Sequence, residues 1–456
     1  MAESLAASLP TVSPARRILA LAAPTALSSI LQVVSQVAET WLAARQGTAA
    51  LAGWSVVLPF SLLMSQMSGG AMGGGVASAT ARALGAGRRD EASDLVLHAV
   101  LIAVVAGLVF VLPLAMFPRA VLGAIGGPTA AEAAAPYAMW LFGLGAVPLW
   151  LANTLASVLR GGGQHALAAR VLLLTWGAHP PLAWVLAEPL GMGLPGIGAA
   201  LGIVFLVSTL VMGAAVLRGR AGFRPALRVR PSWEMFRRIL SVGLAASLLA
   251  GVANLTTMLV TARVASHGAA AVAAYGISAR LEFVMIPIAF GVGSALTALV
   301  GRTVGAGRWD EGLRLAWTGG VMALAITGVI GLVIAMAPVA FAGFFTADPA
   351  VIAIASRALS YTGFAFGGFG LGMALYFASQ GAGRMGWPVA AGLSRIGVAV
   401  GGGWLLGDVL GMGLDGQFLA VALGITAYGL VTAAGVRPGV WAARPGATSP
   451  SAAPKA

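Results

Sequence analysis

Two carboxylates stand where carboxylates are costly. Glu39 and Glu282 each lie inside a long apolar run, while the other acidic residues sit in tails, in loops or at the ends of such runs. A carboxylate at mid-bilayer costs about 2.5–3.5 kcal/mol on insertion scales. A group retained at that cost can load and release a proton, because burial disfavours its charged form, or it can hold a cation. Glu39 closes a polar series, Thr25, Ser28, Gln32, Ser35, Gln36 and Glu39, that recurs at helical spacing on an otherwise apolar segment. One polar stripe on one helix should line a cavity or a neighbouring helix. Glu282 follows Arg280 by two residues. Residues at i and i+2 do not face each other on a helix, so each needs its own partner. For Glu282 that partner is either a buried arginine or a substrate.

Other polar groups fall within the apolar runs. His179 precedes Pro180-Pro181, which must break or kink the helix and free carbonyls. It is a candidate relay for a proton held by Glu39. Asn153, Asn254, Tyr275, Arg280 and Glu282, with Gln32 and Gln36, are candidates for a substrate cavity, the alternatives being hydrogen bonding between helices for the amides, an interface belt for Tyr275 and structural ion pairing for Arg280 and Glu282. An enzyme would need a clustered nucleophile, a metal site or paired carboxylates. Cysteine is absent and the four histidines are scattered, so the reading is not an enzyme, with no metal site and no cofactor. The Gly-Ala-Gly-Arg-x-Asp-Glu segments lack the strand before and the Lys-Ser/Thr after that a phosphate loop needs.

These residues must be positioned by membrane helices. Of 456 residues, 59% are hydrophobic and 9% charged, against about 25% charged in a globular protein. A crossing needs about 20 mostly apolar residues. Twelve such runs occur, at 18–43, 50–78, 93–117, 134–158, 166–187, 196–217, 236–262, 270–299, 314–344, 351–378, 387–406 and 417–436. In lipid every backbone polar group must be paired internally, so runs of this length are helices. The net charge of +13 sits in short breaks between runs, which argues for topology and against nucleic acid. With the amino terminus in the cytoplasm, most arginines fall inside and Arg45, Arg119, Arg263 and Arg357 fall outside. Both termini are therefore expected in the cytoplasm.

The chain also repeats itself. Arg82-Ala-Leu-Gly-Ala-Gly-Arg-Arg-Asp-Glu91 matches Arg302-Thr-Val-Gly-Ala-Gly-Arg-Trp-Asp-Glu311, and Leu190-Gly-Met-Gly-Leu194 matches Leu410-Gly-Met-Gly-Leu414, both at an offset of 220. Two halves with an even number of crossings enter from the same side, so the repeat is parallel, with its pseudo-two-fold axis along the membrane normal. The expected fold is an all-α membrane protein of twelve transmembrane helices in two parallel six-helix lobes. The boundaries are an amino-terminal tail at 1–15, lobes at 16–217 and 236–436, a cytoplasmic linker at 218–235 and a disordered tail at 437–456.

Val37-Ala-Glu-Thr-Trp-Leu-Ala-Ala-Arg-Gln-Gly-Thr, Ala273-Ala-Tyr-Gly-Ile-Ser-Ala-Arg-Leu-Glu282 and Arg160-Gly-Gly-Gly resemble segments of the multidrug and toxic compound extrusion (MATE) family. The likeness runs from about residue 16 to 436. It implies alternating access and export of cationic or amphipathic small molecules against a sodium or proton gradient. It places Glu39 at the family's first-helix acidic position. Members with a sodium-like site carry Asn and, four residues on, Asp in the fifth helix, and His179 and Ala183 stand there instead. Proton coupling through Glu39 is therefore expected, with sodium the other candidate. The alternative is a flippase for a lipid-linked or polysaccharide precursor. Its anionic head group would need several intramembrane basic residues, and the runs hold Arg280 and Arg395. The expected setting is a bacterial-type inner membrane, with lipids and a small-molecule substrate as partners, no nucleic acid, and a monomeric state.

Overall fold

The computed structural model describes residues 13–226 and 230–441. The expected tails at 1–12 and 442–456, and Arg228 of the expected linker, lie outside the described residues. Fourteen helices are named here in chain order: α1 (Pro14–Arg45), α2 (Thr48–Gly85), α3 (Arg89–Met116), α4 (Pro118–Gly161), α5 (His165–Ala187), α6 (Leu194–Leu217), α7 (Trp233–Ala265), α8 (Ala269–Gly305), α9 (Trp309–Met336), α10 (Pro338–Phe345), α11 (Pro349–Ala382), α12 (Gly386–Val409), α13 (Gly413–Gly435) and α14 (Pro438–Trp441). Among the described residues, 11 helices are long and apolar enough to cross a membrane. The expected crossing at 166–187 is present as α5, which is less apolar because it carries His165, Arg170 and His179.

Three boundaries differ from expectation. Ser13 caps α1 through the Arg16 amide, so residues 13–15 start the fold. At the other end Trp441 is 3% exposed within the second lobe's core, so 437–441 are part of the fold too. The run at 314–344 is two helices, α9 and α10, because Ala337 leaves the helical region with φ −127 and ψ 48.

The repeat is written into the backbone. Phe117 adopts φ −127 and ψ 45, the same break as Ala337 220 residues later. Gly87 and Gly307 turn the chain at φ 73 and φ 78, the left-handed region that costs glycine nothing. The small-residue pairs act as packing sites. A Cβ at Gly363 would lie 2.6 Å from the Gly331 carbonyl oxygen, and Gly367 faces Gly328, so α9 and α11 touch backbone to backbone.

The lobes meet at one end, which carries Arg82, Arg160 and Arg302 and is called here the basic end. There Gly291 of α8 packs on Ala22 and Ala26 of α1, and Gly301 on Ala81 of α2. Ser78 donates to the Gln380 carbonyl (2.5 Å) and Arg82 to the Gly381 carbonyl (3.1 Å). Arg17 pairs with Glu311 (3.5 Å), and Arg238 pairs with Glu91. Toward the opposite end, the last hydrogen bond between the lobes among the described residues is Asn254 to Gln66, at 3.4 Å. Beyond it the side of α1 turned away from its own lobe is uncovered, with Val33 40%, Val37 64% and Trp41 57% exposed. A cleft therefore opens away from the basic end.

The opposite end is neutralised in pairs. Arg45 meets Glu188, Arg119 meets Glu132, Arg263 meets Asp408 and Arg357 meets Asp415. These are the four arginines that the charge pattern assigns to the outside.

Candidate functional site

Helix α1 buries its polar stripe in its own lobe. Thr25, Ser28 and Ser35 are buried, and Ser35 Oγ is 3.0 Å from His179 Nδ1 on α5. Four residues on, one helical turn, Glu39 is held from two sides. Its Oε1 accepts the Tyr137 hydroxyl at 2.6 Å and the Trp54 indole N–H at 3.1 Å. Tyr137 is 1% exposed on α4, and Trp54 is 6% exposed on α2. Three helices thus converge on one carboxylate. Beside it is a cavity of about 20 Å³, bounded by Gln36, Glu39, Trp54, Ser61, Ser65 and Trp176 among others, enough for one water molecule. The His179 ring stands edge-on to Trp176 at 6.3 Å.

The second lobe holds a different arrangement. Glu282 of α8 pairs with Arg395 of α12, and the Arg395 guanidinium lies over Phe369, 5.7 Å from the ring centre. Tyr275 is buried nearby, 6% exposed. Of the two partners weighed for Glu282, the structure supplies the buried arginine.

The remaining candidates are scattered. Asn153 donates to Ser68 Oγ at 2.9 Å and ties α4 to the π-helical segment Met67–Met72 within α2. Asn254 reaches Gln66 across the lobes, at the floor of the cleft. Gln32 is half-buried on α1, and Arg280 is exposed on α8. Glu39, Gln36 and His179 form one site, Glu282 and Tyr275 a second, and the rest stand apart from both. Tyr137 and Trp54 were not anticipated. Their signal was a polar aromatic within an apolar run, which does not reveal its partner.

A family model described as MatE matches residues 24–185 and again residues 244–405, the two matches spaced as the sequence repeat is. The chain belongs to the MATE family. MATE relatives agree at low identity. A probable multidrug resistance protein NorM of Geobacillus kaustophilus is 24% identical over 364 residues, covering 74% of this chain and 79% of that protein. A protein of Shewanella oneidensis named as an FAD transporter is 26% identical, covering 74% and 75%. Among solved structures, a MOP superfamily transporter from Pyrococcus furiosus, described as having a binding pocket of reversed polarity, superposes with a TM-score of 0.87 at 21% identity. It covers 94% of this chain and 96% of that one. An outward-facing multidrug resistance MATE family transporter superposes with a TM-score of 0.86 at 21% identity, again over 94% and 96%. The MATE fold, two repeats of one helical lobe, is thus shared in full, and the protein is a multi-pass membrane transporter and not an enzyme.

Proposed function

We propose that this protein is a secondary active exporter of amphipathic small molecules, driven by protons through Glu39. The observation that carries the reading is the hold of Tyr137 and Trp54 on Glu39, beside a water-sized cavity in the first lobe. Protonation removes the charge these donors serve and weakens both bonds. The outer half of α1 carries Glu39 and also forms a wall of the cleft, so a change in its packing changes the substrate's surroundings. A ligand is moved between states only by a difference in its affinity for them, and the repacking of α1 supplies one. Ala183 offers no second carboxylate to complete a sodium site, which favours the proton.

Orientation follows from charge. The basic end is taken as cytoplasmic, which makes the described state open to the outside and supports alternating access. The expectation of cationic substrates draws no support from the second lobe, where Arg395 neutralises Glu282. The same pairing weighs against the flippase, since it leaves Arg280 as the one intramembrane arginine of the two without an acidic partner.

The test is transport in proteoliposomes under imposed gradients at fixed membrane potential. A fluorescent amphiphile should move in response to a pH gradient and ignore a sodium gradient. Glu39→Gln should bind the amphiphile without gradient-driven movement. A response to sodium alone would overturn the proton reading.

A further inference from the structure

Charge within the cleft is the next question. Glu39 is turned into the first lobe under Tyr137 and Trp54, and Glu282 is closed off by Arg395. The other acidic side chains of the described residues stand in loops, near helix ends or, for Glu132, just past the break at Gly127 within α4. Arg280 is different. It is exposed, and among the described residues it makes neither an ion pair nor a hydrogen bond.

Its direction follows from the helix. Arg280 and Gly291 are eleven residues apart, three turns, and share a face. Gly291 packs on Ala22 and Ala26 of α1, so that face of α8 looks at the first lobe. Below, α1 covers it. Above, the lobes have parted and the face is open. Arg280 lies about 16 Å along α8 from Ala269, at 1.5 Å per residue, well inside the bundle. By helical phase Phe283 and Val284 flank Arg280 on α8, and Val33 and Val37 lie on the side of α1 that carries Ala22 and Ala26. All four are between 40% and 64% exposed, so the surfaces that face each other across the cleft at this depth are apolar.

We propose that Arg280 receives the acid group of an amphipathic, singly anionic substrate in this cleft. A guanidinium offers a carboxylate or sulfonate a two-pronged, charge-assisted grip. The apolar walls take the rest of the molecule. A single free guanidinium suits one negative charge, and a cationic substrate would meet repulsion with no free carboxylate to offset it. The inference rests on the export reading, and the test separates the two.

Three probes with one ring system serve: dansylglycine, an anion; dansylglycinamide, neutral; and dansylcadaverine, a cation. Binding to the purified full-length protein is read by fluorescence, and movement is read separately in proteoliposomes. Dansylglycine should bind about tenfold or more tightly than dansylglycinamide, the range expected for a hydrogen bond to a charged group, with dansylcadaverine weakest. Arg280→Gln should abolish the preference at unchanged melting temperature, and Arg280→Lys should keep part of it. Equal binding of the three probes by the wild type would overturn the inference, as would a preference that survives Arg280→Gln. Binding that follows Arg280 without gradient-driven movement would instead overturn the export reading alone.

Discussion

Glu91 and Glu311 occupy equivalent positions in the two repeats, and each reaches an arginine of the other lobe, Glu91 to Arg238 and Glu311 to Arg17. Each glutamate also holds an arginine one turn back, Arg88 and Arg308 respectively. The two ties flank the seam at the basic end, with equivalent glutamates and arginines one position apart in the repeat register.

If the ties hold that end shut, weakening both should let it open. Partly exposed pairs are worth about 0–1 kcal/mol each, so Glu91→Gln with Glu311→Gln should shift the open-to-closed ratio by up to roughly thirtyfold. The chain has no cysteine, so spin labels at Ala86→Cys and Ala306→Cys report the separation directly. An unchanged distance distribution in the double variant would remove the ties from the gate.

Around Glu39, Tyr137→Phe and Trp54→Phe each delete one donor and leave the carboxylate in place. A hydrogen bond to a charged group contributes about 1.5–3 kcal/mol, so each variant should slow gradient-driven transport, more for Tyr137, whose bond is shorter. Unchanged transport in both would show that the two donors do not serve the coupling.

The Glu282–Arg395 pair makes a prediction about stability. Removing one partner of a buried pair costs about 3–5 kcal/mol, because the other charge is left uncompensated. Glu282→Gln should therefore lower the melting temperature and the yield. Glu282→Leu together with Arg395→Met should recover most of the loss, with transport per folded molecule close to that of the wild type. Full stability in Glu282→Gln would contradict the pairing.

Outside the helices, Arg45 holds the Glu188 carboxyl below the usual carboxylate range, chiefly by a hydrogen bond, with help from the Trp184 indole N–H. The depressed value means that the pair stabilises the fold above the unfolded carboxylate's value of 4.5. That contribution fades as pH falls through the lower folded value. The melting curves of wild type and Arg45→Gln should differ at pH 7, and the difference should shrink as pH is lowered beyond 4.5 toward the folded value. A constant difference down to pH 3 would show that Arg45 acts by packing alone.

Much of this was legible beforehand, for physical reasons. Apolar runs of helical length and the 220-residue offset define the lobes because lipid leaves the backbone few alternatives. Glu39 could be singled out because an acid in an apolar run is costly. Its partners could not, since Tyr137 lies 98 residues away and its hydroxyl looks like any interfacial tyrosine until α4 is packed against α1. Glu282 and Arg395 were each visible as intramembrane charges. Their pairing was hidden by the 113 residues between them. The break at Ala337 had a signal, since Pro338 follows it and the residue before a proline is pushed away from the helical region, but the apolar residues on both sides masked it.

The four closed pairs at the mouth opposite the basic end have a kinetic consequence. Each arginine there is matched by its own carboxylate, so little field extends into solution. At the basic end Arg16, Arg89, Arg218, Arg220 and Arg237 are exposed without an acidic partner among the described residues. Surface charge of one sign steers diffusing ions and raises encounter rates, an effect that falls steeply with ionic strength. An anionic molecule would be gathered at the basic mouth and released at the neutral one without being drawn back. Salt should therefore slow loading from the basic side while leaving release at the other side nearly unchanged.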